Sequence, residues 1–98
     1  MHVRLIRLDT KEMIIVDKPV YRIGREKGYV DYCIDVSTIS RSHCDIITRD
    51  RKYFLMDLGT TNGTYINRRR LPVNIEVSLL SGDEVRLANL DFYFEEVL

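Results

Sequence analysis

Short stretches of alternating apolar and polar residues, broken by turn residues, recur along the whole chain, and no segment keeps a 3.6-residue apolar period over a normal helix length. The pattern predicts strands at Val3–Leu8, Met13–Asp17, Val20–Ile23, Tyr32–Asp35, His43–Arg49, Lys52–Leu58, Thr64–Ile66, Val77–Leu79, Asp83–Leu87 and Asp91–Val97. Arg4-Leu5-Ile6-Arg7-Leu8 and Asp45-Ile46-Ile47-Thr48 are read as alternating segments. Tyr53-Phe54-Leu55-Met56 is apolar at every position and predicts a central strand covered on both faces. Asp9-Thr10-Lys11, Arg49-Asp50-Arg51 and Ser81-Gly82-Asp83 read as tight turns, and Lys18-Pro19 opens a strand where a missing N–H does little harm. The expected fold is all-β: a two-sheet sandwich of ten or eleven mostly antiparallel strands.

At 98 residues and 11.6 kDa the chain has the size of a single domain, expected to span 1–98, with room for it to be a piece of a longer protein. Its longest apolar runs, Met13–Val16 and Tyr53–Met56, fall far short of the roughly 20 residues of a membrane-spanning helix. Formal net charge is zero, 15 basic against 15 acidic, which disfavours a generic nucleic-acid or membrane-surface binder. The charge is unevenly spread, with 14 basic and 9 acidic residues in 1–70 but one arginine and six carboxylates in 71–98. That distribution suits a local basic site for a small acidic group. Cys33 and Cys44 read as reduced thiols of a cytoplasmic protein, and no His/Cys spacing suggests a metal site. No cofactor is expected.

A sandwich needs only short turns, so the longer polar connections Gly24–Val30, Val36–Ser42 and Gly59–Gly63 call for another explanation. Gly24-Arg25 opens the first, where glycine permits a sharp, φ-positive exit from the strand. Ser40-Arg41-Ser42-His43 closes the second, and Thr61-Asn62-Gly63-Thr64 ends the third with a tight, left-handed turn. Together they offer a guanidinium, hydroxyls, a side-chain amide and glycine-freed backbone N–H groups, with few carboxylates nearby. This is the inventory for holding a doubly charged oxyanion.

Gly24-Arg25, Ser40-Arg41-Ser42-His43 after fourteen intervening residues, Thr61-Asn62-Gly63-Thr64 with Asn67, and Leu79-Leu80-Ser81-Gly82-Asp83-Glu84-Val85-Arg86-Leu87 together resemble the forkhead-associated (FHA) family over roughly residues 3–97. The resemblance implies an eleven-stranded sandwich that recognises phosphothreonine peptides without catalysis. By the same resemblance, Arg25, Ser40 and Thr61 contact the phosphate, while Asn62 bonds the peptide backbone beside it. Arg41 stands where several family members place a second ligand-contacting residue. Gly24, His43 and Gly63 support the site, with His43 bracing the loops in its neutral form. The implied partner is a phosphothreonine protein, with a functional link to a Ser/Thr kinase and a monomeric state.

The chain departs from the family pattern in two places. Cys44 replaces a common alanine, and Asn67-Arg68 stands where Asn-Gly is frequent. Without that glycine a two-residue type I′ turn is disfavoured, so a longer hairpin is expected, with Arg68-Arg69-Arg70 capping it ~15–20 Å from Asn62. Two other function classes compete. A scaffold using a different sheet face would be expected to have lost one of Arg25, Ser40, Thr61 or Asn62. An enzyme built on Ser40 and His43 lacks a nucleophile elbow and an evident orienting carboxylate.

Overall fold

The computed structural model describes residues 2–97, and these form eleven strands and no helix. In chain order they are β1 (His2–Arg7), β2 (Met13–Val16), β3 (Val20–Gly24), β4 (Tyr32–Cys33), β5 (Cys44–Arg49), β6 (Lys52–Asp57), β7 (Thr64–Ile66), β8 (Arg69–Arg70), β9 (Val77–Leu79), β10 (Glu84–Leu87) and β11 (Leu90–Val97). One sheet runs β2-β1-β11-β10-β7-β8 and the other β4-β3-β5-β6-β9. Every strand pair is antiparallel except β3 with β4. The period-2 alternation now has its physical cause. Val3, Leu5, Ile14, Val16, Val85, Leu87, Phe92 and Phe94 point inward from the first sheet, against Tyr21, Ile23, Cys44, Ile46, Leu55 and Leu79 from the second. Tyr53 meets Phe94 edge-on across the core, with ring centroids 5.6 Å apart.

Three expectations require correction. The strand Tyr53–Met56 is not covered on both faces: Leu55 is fully buried, but Phe54 and Met56 on the outer face are only half-buried. The Arg49 guanidinium lies over the Phe54 ring, 4.7 Å from its centroid, and gives that face partial cover while its charge is attracted to the ring. Asp35 falls outside β4, which is only two residues long and pairs in parallel, Ile23 with Tyr32 and Gly24 with Cys33. The third correction bears on the site. Asn67 and Arg68 both take positive φ (48° and 70°), and Ile66 pairs directly with Arg69. The hairpin therefore has the two-residue loop that its sequence disfavours, and it adds β8, absent from the sequence expectation.

Asn67 accounts for that turn. Its Nδ2 donates to Asp83 Oδ1 at 3.0 Å and its Oδ1 accepts the Glu84 N–H at 2.9 Å. The side chain is thus clamped to the start of β10, and the left-handed backbone is held by a contact distant in sequence. Asparagine tolerates positive φ better than most residues.

Candidate functional site

The loops that leave β3, enter β5 and join β6 to β7 gather at one end of the sandwich. Gly24 ends β3 in direct apposition to the loop before β5. A Cβ there would sit 2.1 Å from the Arg41 carbonyl oxygen, so only glycine admits this approach. The expected φ-positive exit does not occur, since Gly24 is not among the positive-φ residues; close approach of backbone explains it instead. The Arg25 N–H is shared between the carbonyls of Ser40 and Arg41, both at 3.0 Å, and the Glu26 N–H reaches Arg41 O at 3.2 Å. Arg25 Nε donates to Ile39 O at 2.9 Å. That bond aims an exposed guanidinium along the rim.

The third loop is built around Asp57, which the sequence reading did not single out. Its carboxylate is buried at the end of β6 and receives four hydrogen bonds. Oδ2 accepts the N–H groups of Gly59 (3.0 Å) and Thr60 (3.2 Å), and Oδ1 accepts the hydroxyls of Thr60 and Thr64, both at 2.7 Å. The Thr60 hydroxyl in turn accepts the Gly63 N–H at 2.9 Å. Burial works against this charge, but the Thr64, Thr60 and Gly59 hydrogen bonds outweigh it and hold the carboxyl below its ordinary value. The signal was present in the sequence as Asp57-Leu58-Gly59-Thr60, an acid two residues ahead of a glycine and three ahead of a threonine.

His43 joins the second loop to the third. Its Nδ1 accepts the Ser40 backbone N–H at 3.0 Å while Nε2 lies 2.9 Å from the Gly63 carbonyl. A ring that accepts at Nδ1 and donates at Nε2 is the neutral Nε2–H tautomer. Burial of the imidazole pushes its pKa below the ordinary value, against smaller upward effects of the Gly63 carbonyl and Asp57. Gly63 has φ 87°, a backbone conformation that side chains disfavour, and its carbonyl also accepts the Ala88 N–H at 3.0 Å. Asn62 closes the ring of loops by donating from Nδ2 to Thr38 O at 2.9 Å. Cys44, behind His43, is fully buried, and burial raises its thiol pKa well above the ordinary value.

These bonds bring the sequence-derived residues to one rim. Arg25, Arg41, Thr61 and Asn62 are exposed there and Ser40 is half-buried, while Gly24, His43 and Gly63 lie buried beneath. Arg41 comes no closer than 4.0 Å to Glu26, and Arg25 forms no ion pair among the described residues. An unneutralised cation next to hydroxyl and amide donors is arranged to accept an anion.

Of the arginine triplet, Arg68 and Arg69 lie at the hairpin turn as expected, but Arg70 does not stay there. The two-residue turn sends β8 back antiparallel to β7, and Arg70 pairs with Tyr65. Arg70 Nη2 then donates to Thr61 O at 3.2 Å, so the last arginine reaches the third loop rather than standing ~15–20 Å away. The chain runs outward along β7 and returns along β8, so Arg70 ends nearer the third loop than the turn does.

Comparison with known proteins finds relatives of this chain in sequence and in fold. Residues 21–88 match the family described as FHA domain. The chain is 38% identical over 82 residues to an oxoglutarate dehydrogenase inhibitor of Corynebacterium diphtheriae, covering 84% of this chain and 54% of that protein. It is 34% identical over 80 residues to the glycogen accumulation regulator GarA of Mycolicibacterium smegmatis, covering 82% of this chain and 48% of the other. The chain thus spans about half the length of these curated relatives. Among solved structures it resembles Mycobacterium tuberculosis EmbR in complex with a low-affinity phosphopeptide, with a TM-score of 0.88, 26% identity and coverage of 96% of this chain and 24% of that one.

Proposed function

Because the chain belongs to the FHA domain family, we propose that its loop rim is a non-catalytic reader of phosphothreonine in a partner protein, working in phosphorylation-dependent signalling. The observation that carries this reading is the stitched rim itself. Arg25 is oriented by Ile39 O and left without a carboxylate partner, on loops that also present Ser40, Thr61 and Asn62. In this reading the Arg25 guanidinium and the hydroxyls of Ser40 and Thr61 donate to phosphate oxygens. Asn62 supplies its amide to the peptide backbone, and Arg41 contacts the ligand from the flank. Gly24, His43 and Gly63 hold the loops without touching the ligand.

The bonding of His43 supports a binding role over catalysis. Its Nδ1 is occupied by the Ser40 backbone N–H and its Nε2 by Gly63 O, which leaves no basic nitrogen to activate the Ser40 hydroxyl. A Ser/Thr kinase would generate the ligand, and residues 1–98 would act as one monomeric module in the cytoplasm. No helix among the described residues is long and apolar enough to cross a membrane.

The test is a library of phosphothreonine peptides with unphosphorylated and phosphoserine counterparts, read by fluorescence anisotropy. Binding confined to phosphorylated peptides is the expected result. Equal binding of unphosphorylated peptides would replace this reading with a phosphate-independent scaffold.

A further inference from the structure

Arg70 is the feature of the rim that the phosphothreonine reading leaves unused. It is exposed, and among the described residues neither it nor Arg68 or Arg69 forms an ion pair with a carboxylate. Its position is nevertheless fixed. Pairing with Tyr65 sets its backbone, and Nη2 bonded to Thr61 O at 3.2 Å sets its head group. Gly63 provides the floor, since a Cβ there would lie 2.9 Å from both Arg70 Nε and the Tyr65 hydroxyl. The hydroxyl of Tyr65 donates to Asn62 O at 3.2 Å, so the same residue beside Arg70 also braces the Asn62 turn.

An arginine restrained in this way has an unusual electrostatic position. One of its N–H groups bonds a neutral carbonyl, leaving the rest of the fork without an anion. A guanidinium fork matches a carboxylate or phosphate in a bidentate arrangement. The Arg70 head group is bonded to the backbone of Thr61, the neighbour of Asn62, which puts its charge within a Debye length (about 8 Å at physiological salt) of that part of the rim. Arg68 and Arg69 carry the same charge but sit at the turn and its first pair, and among the described residues the hydrogen bond from the triplet to the third loop comes from Arg70.

Resting on the phosphothreonine reading, we propose that Arg70 is a specificity-determining residue that selects ligands carrying a second anionic side chain close to the phosphothreonine. That side chain is a carboxylate or a second phosphate, and both present the same acceptor geometry to the fork.

The experiment measures affinities at 150 mM salt for a phosphothreonine peptide with alanine flanks, and for versions with one aspartate at each of the four positions on either side. At the preferred position, glutamate and phosphoserine are then compared. The native chain should favour one aspartate position about fivefold, near the upper end for an exposed ion pair. Arg70→Gln should bring that ratio to within about twofold of unity, and Arg69→Gln should leave it as in the native chain. A phosphoserine preference well above that for aspartate identifies a second phosphate as the source; equal or weaker binding identifies a carboxylate. The proposal is overturned if the native chain binds phosphothreonine peptides with no acidic preference. It is equally overturned if Arg70→Gln weakens neutral and acidic peptides alike with the ratio kept, since Arg70 would then be a loop brace or a general source of field. If no phosphorylated peptide binds the native chain at all, the parent reading falls and this one with it.

Discussion

His43 bonds the carbonyl of Gly63 through Nε2 at 2.9 Å, across 20 positions of sequence, and so fixes the third loop to the root of the second. The bond requires a proton on Nε2, and the opposite nitrogen must stay bare to accept the Ser40 N–H. Protonation of the ring sacrifices that second contact. The folded pKa lies below the ordinary 6.5 because burial disfavours the charged form. A depressed folded pKa means that the unfolded chain binds the proton first as pH falls. The stability held by neutral His43 is therefore complete above about pH 6.5 and declines as pH drops below it. Thermal melts of the ligand-free chain between pH 7.5 and 5.5 should show this decline, and His43→Ala should flatten it. The variant should also be about 1–3 kcal/mol less stable at pH 7.5. A His43→Ala chain that melts like the native one but fails to bind would mean that His43 touches the ligand.

Asp57→Ala should be among the most damaging single changes in the domain. It removes the acceptor of two buried hydroxyls and two N–H groups. Hydrogen bonds to a charged group contribute about 1.5–3 kcal/mol each at best and are not additive, so a loss of about 3 kcal/mol or more is expected. For a domain of this size each kcal/mol lowers the melting temperature by about 4–8 °C. Since the folded carboxyl lies below the ordinary 3.8, its contribution is present above that pH and is lost as pH falls through the lower folded value. Acid titration followed by circular dichroism should show native unfolding that is displaced in Asp57→Asn. A melting temperature within 3 °C of native for Asp57→Ala would refute the role given to this carboxylate.

Arg25→Ala should separate binding from folding. The side chain is exposed and makes one hydrogen bond to Ile39 O, so circular dichroism and melting should change little. Loss of a charge-assisted bond to phosphate, about 1.5–3 kcal/mol, corresponds to a ten- to more than hundredfold loss of phosphopeptide affinity. Retained affinity in a normally folded variant would sink the assignment.

Gly24→Ala tests the close approach of β3 to the preceding loop of β5. The new methyl would collide with Arg41 O, the acceptor for the Arg25 and Glu26 N–H groups, and must displace it. Overpacking of this kind costs about 1–3 kcal/mol. Because Arg25 is hung from the same carbonyls, binding should fall together with stability. Native behaviour in both measurements would show that the loop yields freely.

Phosphothreonine should be preferred over phosphoserine in matched peptides. Burying the additional methyl offers about 0.8 kcal/mol, and the methyl also restricts the side chain before binding. Titration calorimetry should give a preference of roughly fourfold or more, and equal affinities would remove this part of the reading.

The strands were legible because one buried face forces alternation, as in Glu84-Val85-Arg86-Leu87. Asp45-Ile46-Ile47-Thr48 differs from the one-faced strand its pattern suggests, since Asp45, Ile46 and Ile47 are all buried and the Arg22 guanidinium pairs with the Asp45 carboxylate. Arg25, Ser40, His43, Thr61 and Asn62 were legible for a different reason: they stand at distinctive spacings in loops longer than a sandwich needs. What remained hidden depends on bonds between residues distant in sequence. The turn at Asn67-Arg68 looks unfavourable locally, and its left-handed backbone is held by Asp83 and Glu84, which lie 16 and 17 positions further along. Once that turn is tight, β8 must run back beside β7, and Arg70 lands on Thr61. Asp57-Leu58-Gly59-Thr60 marks a local turn in the sequence, but the burial of the Asp57 carboxylate follows only when Thr60 and Thr64 close over it. Local pattern and motif spacing thus specified the sandwich and the rim, because burial periodicity and loop chemistry are written along the chain. Which charges come to lie beside that rim was decided only by tertiary structure, because a side-chain clamp from Asn67 in the β7–β8 turn to Asp83 and Glu84 overrides the local preference of the backbone.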